Sequence, residues 1–340
     1  VDAIIGSGIV VWPNNALLSV PVIIADAGDG AAKRFLEFFT ANIRNPNTRA
    51  AYAQAVAQFL RWCDGRRLAL RDIEPMAVAA YVEQLQQKRT APTVKQHLAA
   101  IRMLFDWLVT GQIVPFNPAS SVRGPKYVVK KGKTLVLSAE DARKLLDSIP
   151  LKIGPKPKPN GEDTRPPDLI GLRDRAMIGV MVYSFARIGA VVGMKGEDYY
   201  QNGKRWWLRL HEKGGKFHEV PAHHNAETYL DAYLAAAGIA DDRKLPLFRS
   251  AAGKTGRLTE QPLARRNALD MVKRRAIAAG ISDRVCCHTF RATGITAYLE
   301  NGGTIEHAQQ IACHESPKTT KLYDHTGDQI TLDEVERILI

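Results

Sequence analysis

Cysteine is scarce in this chain of 340 residues: there are four, at positions 63, 286, 287 and 313, with no C-x-x-C spacing. The pattern argues against a disulfide framework and gives no zinc motif, so a reducing, cytoplasmic setting is the simpler expectation. Long apolar runs are lacking too. The opening stretch VDAIIGSGIVVWPNNALLSVPVIIADAGDG is moderately apolar, but Asp2, Pro13, Asn14 and Asn15 interrupt it and no cationic segment precedes it. Neither a membrane span nor a signal peptide is expected from it. Strand patterning is confined to one region, DYYQNGKRWWLRLHEKGGKFHEVPAH, where Asn202-Gly203 and Gly214-Gly215 read as hairpin turns. Negative charge falls short as well: 35 Asp and Glu against 47 Lys and Arg leave a net +12. A polyanionic partner is one implication and an ordinary basic protein the other; charge alone does not separate them.

What remains is mostly helical. Hydrophobic residues make up 45% of the chain, enough for two separate cores. Between residues 30 and 122, AKRFLEFFTAN, NTRAAYAQAVAQFLRWCDG, EPMAVAAYVEQLQQ and APTVKQHLAAIRMLFDWLVT repeat apolar residues at three- and four-residue spacing. They predict four helices of a first domain, with residues 1–29 as an extension before it. Thr48 or Asn47 is the expected cap of the second helix, and Pro92 suits the first turn of the fourth. Residues 123–137 scatter Arg123, Lys126, Lys130, Lys131 and Lys133 among Pro and Gly and read as a basic linker. Ser138, with Asp141 three positions on, opens the second domain, residues 138–340, whose Pro-rich loop lies near 151–168 and whose tail begins at about 326. The expected fold class is mainly α, in two domains, the second holding a small antiparallel β-sheet.

Three separated strings in the second domain belong together chemically. They are SFARIGAVVGM with Arg187, CHTFRATG with His288 and Arg291, and ACHESPKTTKLYDH with His314 and Tyr323. Two arginines can cover the non-bridging oxygens of a phosphodiester, two histidines add donors or proton carriers, and a phenol oxygen can attack phosphorus. Such an attack requires no metal, nucleotide or other cofactor. Singly, each residue has a bland explanation: an ion pair for an arginine, a core position for the tyrosine, chance for one H-x-x-R among nine histidines. Arg187, however, lies in an apolar run, where an unpaired charge is costly and a cleft facing an anion is favoured. His288 and Arg291, three apart, share a helix face. His314 and Tyr323, nine apart, would fall on nearly opposite faces of one helix, but Ser316 and Pro317 form an N-cap and first helical residue that break it. On the first domain, Arg49, Lys95 and Arg102 are candidate phosphate contacts. Lys95 and Arg102 are seven apart on one face, although a solvated helix surface explains each equally well.

In this order and spacing the motifs resemble those of the tyrosine recombinase, or phage integrase-like, family, and the resemblance runs from about residue 30 to residue 340. It implies a helical core-binding domain that grips double-stranded DNA, and a site-specific recombinase that forms a 3′-phosphotyrosyl intermediate at Tyr323 and exchanges strands through a Holliday junction. It further implies that Arg187 and Arg291 neutralise the phosphate, that His288 assists proton transfer or holds a phosphate oxygen, and that His314 donates to the phosphate. Lys213, at a hairpin tip, resembles the family's general acid; Lys216 is the competing candidate. A tetramer on two paired sites is implied, with the C-terminal helix after Thr331 docking on its own domain or on a neighbouring protomer, in a cytoplasmic, nucleoid-associated setting. The sequence departs from the family pattern at Phe185, where glycine is common, at Ala190, where an acid is common, and at Ala292. Two alternatives stay open: topoisomerase-like (type IB) nicking and resealing, and a catalytically weakened DNA-binding regulator.

Overall fold

A computed structural model of the chain describes residues 9–11, 17–128, 132–155, 163–212 and 215–324. Lys130, Lys131, Lys213 and the tail from 326 lie outside the described residues. The chain divides into two compact units, with the boundary between Val128 and Val129.

The first unit opens with a short antiparallel pair, β1 (Ile9–Val11) and β2 (Leu17–Ser19), followed by α1 (Val22–Ala25) and α2 (Asp29–Glu37). A π-helical turn, Phe38–Asn42, continues α2, and α3 (Pro46–Asp64), α4 (Pro75–Lys88) and α5 (Ala91–Thr110) complete the unit. The apolar stripes close on one core in which Phe35, Phe38, Phe39, Phe59 and Phe105 are all buried, and Phe59 meets Tyr81 edge to face at 5.0 Å. Ile23 and Ile24 belong to the same core, so the packed unit begins before residue 30, where the sequence placed its start. The cap of α3 also differs from expectation. Asn45, rather than Asn47 or Thr48, accepts from the Asn47 and Thr48 amides, because Pro46 has no N–H to lose and takes the first helical position. Pro92 stands in the first turn of α5, as its residue type requires.

The second unit is built from α6 (Ala139–Ser148), α7 (Leu169–Tyr183), α8 (Ile188–Val192), β3 (Tyr199–Asn202), β4 (Arg205–His211), β5 (Phe217–Pro221), α9 (His224–Ala237), β6 (Arg249–Ala251), β7 (Leu258–Pro262), α10 (Arg265–Ala278), α11 (Cys287–Glu300), α12 (Ile305–Ala312) and α13 (Pro317–Lys321). Ser138 caps α6 through the Asp141 amide at 3.0 Å. Helix α7 is apolar nearly all round and runs through the core, against α9 and α11. Strands β3, β4 and β5 make the antiparallel sheet, whose first turn is one residue later than expected: Asn202 pairs with Arg205, and Gly203-Lys204 form the two-residue loop, with Gly203 at φ 62°. The second small pair, β6 with β7, was not legible in the sequence, being short and polar.

Candidate active site

Strand alternation sets the inner wall of the site. Leu208 and Leu210 of β4 face the core, and the same register brings Glu212, just past the strand, to the inner face, where it is buried. On β5, His218 pairs with Leu210 and Val220 with Leu208, so His218 shares that face. Opposite them, the turn after α7 presents Arg187 as the N-cap residue of α8 in extended conformation. Its Nη1 donates to Glu212 Oε2 at 2.6 Å, and its side chain is 38% exposed, against 2% for the carboxylate.

Helix α11 supplies the next layer. His288 and Arg291 lie one turn apart, as their spacing predicts, but Arg291 is 1% exposed and reaches inward. It donates through Nη1 to the Phe185 carbonyl and through Nη2 to the Ala312 carbonyl at 2.5 Å, while Nε has no hydrogen-bond partner among the described residues. Burial, then the charge of Arg187, lowers the Arg291 pKa to about 10, with Glu212 and Tyr323 opposing. One arginine is thus partly open to solvent and held by a carboxylate; the other is buried and clamped by carbonyls.

The third layer is the segment after α12. Cys313 ends that helix in the left-handed region at φ 49°, turning the chain so that His314 points inward. Ser316 caps α13 and Pro317 is its first residue, the break that the sequence required. After α13 the chain delivers Tyr323, whose carbonyl accepts from Thr296 Oγ1 at 3.0 Å. The Tyr323 hydroxyl meets His288 Nε2 at 2.8 Å, and the His314 ring stacks on Tyr323 at 5.9 Å with an interplanar angle of 7°. His314 Nδ1 lies 3.0 Å from the buried Thr320 hydroxyl.

The electrostatics keep the histidines neutral. Desolvation, reinforced by Arg291 and Arg187, lowers the His288 pKa, and the same causes, with His288 added, take His314 to about 3. A neutral His288 can accept the phenol proton through Nε2. Tyr323 itself is pushed above the usual tyrosine value by burial, against the pull of Arg291 and Arg187, so its hydroxyl keeps its proton until a base takes it.

The structure therefore brings Arg187, His288, Arg291, His314 and Tyr323 into one cluster. Lys216, the competitor of Lys213, instead pairs with Glu315 at 2.7 Å on the exposed side. Sequence reasoning missed Glu212 and His218, although the inward register of β4 and β5 held the signal. His218 Nε2 lies 3.1 Å from the Ile311 carbonyl, and its burial lowers its pKa.

The phosphate candidates of the first unit divide. Lys95, Arg123 and Lys126 are exposed, and Gly124 packs beside Lys95. Arg102 is half-buried and donates to the Ala119 and Val122 carbonyls, which binds the end of the unit to α5. That clamp takes Arg102 out of the outward-facing set. Arg49 is half-buried, with Nε on the Ile43 carbonyl at 2.9 Å.

Residues 136–329 match the model of the phage integrase family, and residues 32–113 match that of the phage integrase N-terminal SAM-like domain. The chain belongs to the phage integrase family, the tyrosine recombinases. Curated relatives of this recombinase include the tyrosine recombinase XerD of Chlorobaculum tepidum, 26% identical over 86% of this chain and 89% of that protein, and XerC of Salmonella typhi, 27% identical over 74% and 75%. Among solved structures, the XerH recombinase bound to a palindromic difH substrate, a post-cleavage complex, shares its fold with a TM-score of 0.67 at 16% identity, covering 93% of this chain and 95% of that one. A lambda integrase tetramer bound to a Holliday junction matches with a TM-score of 0.62 at 16% identity, over 88% and 78%. Among the described residues of the recombinase, no helix is long and apolar enough to cross a membrane.

Proposed function

We propose that this recombinase cleaves one strand of duplex DNA at a specific site by attack of the Tyr323 hydroxyl oxygen on phosphorus. The O–P bond to tyrosine forms as the P–O5′ bond breaks, leaving a 3′-phosphotyrosyl link and a free 5′-hydroxyl; the reverse attack by a partner strand reseals the DNA without an energy source. The observation that carries this reading is the 2.8 Å contact between the Tyr323 hydroxyl and His288 Nε2 inside a cluster with two arginines. His288 takes the phenol proton. Arg187 presents donors to the non-bridging oxygens, Arg291 adds positive charge from behind, and His314 donates from the imidazole nitrogen left free by Thr320. Lys213 protonates the departing 5′ oxygen, a role that the outward pairing of Lys216 with Glu315 favours for Lys213.

Exposed Lys95, Arg123 and Lys126, together with Arg49 and, by sequence, Lys130 and Lys131, contribute phosphate contacts that position rather than specify. The XerH and lambda integrase complexes support DNA as the substrate, and the tetramer on a Holliday junction supports assembly of four protomers on two paired sites. The tail from 326 docks in trans in such an assembly. The setting is the nucleoid of the cytoplasm. The test uses duplexes carrying a site selected from a randomised pool. Covalent 3′ adducts and Holliday junctions between two sites are expected; adducts and relaxation without junctions indicate nicking and resealing, and specific binding without adducts indicates a regulator.

A further inference from the structure

Glu212 is a buried carboxylate that the reaction chemistry does not by itself require. Its side chain is 2% exposed, Oε2 is held by Arg187 Nη1 at 2.6 Å, and Oε1 has no hydrogen-bond partner among the described residues. A half-satisfied buried carboxylate costs free energy, and a leucine in the same inward register after Leu208 and Leu210 would avoid that cost. Its presence there points to a task at the guanidinium it holds. Arg187 is the cluster's solvent-open arginine, on a turn rather than inside a helix, and Glu212 is the partner that fixes one of its edges from behind. Arg291 needs no such partner, because two backbone carbonyls clamp it.

We propose that Glu212 is a positioning residue for Arg187, setting the guanidinium so that its remaining N–H groups meet the phosphate as charge develops on it. This rests on the phosphodiester-cleavage reading above. Because the carboxylate acts through Arg187, its loss slows the chemical step and leaves DNA affinity, which comes from many phosphate contacts, almost unchanged.

The test measures cleavage rate at saturating enzyme, and separately DNA affinity, on a nicked duplex carrying the pool-selected site. Glu212→Ala is expected to slow cleavage by about 10-fold to 100-fold with affinity within about 2-fold of wild type. Glu212→Gln, which keeps an oxygen for Arg187 Nη1, is expected within about 5-fold of wild type. In an Arg187→Lys background, the further loss from Glu212→Ala shrinks to less than about 2-fold. Should Glu212→Ala fail to fold, Glu212→Asp serves in its place: it keeps the charge, withdraws it by one methylene and is expected to be slow. Wild-type rates in the Ala variant, a proportional loss of binding and cleavage, or full additivity with Arg187→Lys would overturn the proposal. Wild-type enzyme that forms no adduct refutes the cleavage reading itself, and this proposal with it.

Discussion

In the proposed cleavage step, Tyr323 and His288 divide the proton chemistry between them through burial. The phenol is held above the ordinary tyrosine value and the imidazole below 6.5, so at neutral pH the donor is protonated and the acceptor is free. Because protonation removes the base, the cleavage rate should be level around neutrality and fall on the acid side, beginning only below the ordinary histidine value; a stopped-time pH profile on the nicked duplex checks this. His314 carries a stability consequence. Its folded pKa, about 3, lies below the unfolded 6.5, so its neutral form favours the native state. That contribution is complete above 6.5 and is lost as pH falls from there towards 3. By pH 5 the loss is about 1–2 kcal/mol, measurable as urea unfolding against pH, and His314→Asn should flatten the slope. Arg187→Ala should lower the cleavage rate by about 10²-fold to 10³-fold with modest change in affinity, read in the same single-turnover assay.

At the scale of elements, the two departures near Arg187 have different resolutions. Phe185 adopts φ 54°, a conformation glycine takes freely, and is compensated by its ring, which packs in a buried cluster with Ala292, Ile295, Leu299 and Tyr323 and edge-on to Tyr298 at 6.0 Å. Gly294 makes the room: a Cβ there would run into the Val182 carbonyl and the Phe185 ring. Phe185→Gly should therefore destabilise by about 2–3 kcal/mol in denaturant titration, the lost packing outweighing the backbone relief. Cys313, at φ 49° and only half-buried, has less to lose. Cys313→Gly should stabilise by about 0.5–1 kcal/mol, seen as a raised Tm. The resemblance signalled the left-handed position at Phe185, since glycine is common there, whereas nothing in the sequence announces the one at Cys313. The α12–α13 break was legible, because Ser316-Pro317 is local chemistry. The shift of the β3–β4 turn to Gly203-Lys204 was not, because the pairing of whole strands set it. Ala190 is buried in the core, and Glu212 reaches Arg187 from the hairpin, a long-range pairing that no local pattern could assign.

For the whole molecule, the cluster was readable because its members keep fixed chemistry and order, whereas the DNA-facing surface was not, because exposed and structural cations look alike in sequence. Arg102 illustrates the difference: its periodicity matches Lys95, yet two carbonyls occupy its guanidinium. With a net charge of +12, binding should weaken steeply with salt, and replacing Lys95 or Lys126 by Ala should each reduce the slope of log affinity against log salt by about 0.9, while Arg102→Ala should chiefly lower stability. The central claim is that Tyr323 is the nucleophile. Its most direct measurement is mass spectrometry of the digested covalent complex formed on a nicked duplex bearing the selected site. The nucleotide is expected on the peptide containing Tyr323, and Tyr323→Phe is expected to give no SDS-resistant adduct. A nucleotide on any other residue, or an adduct that survives Tyr323→Phe, would contradict the claim.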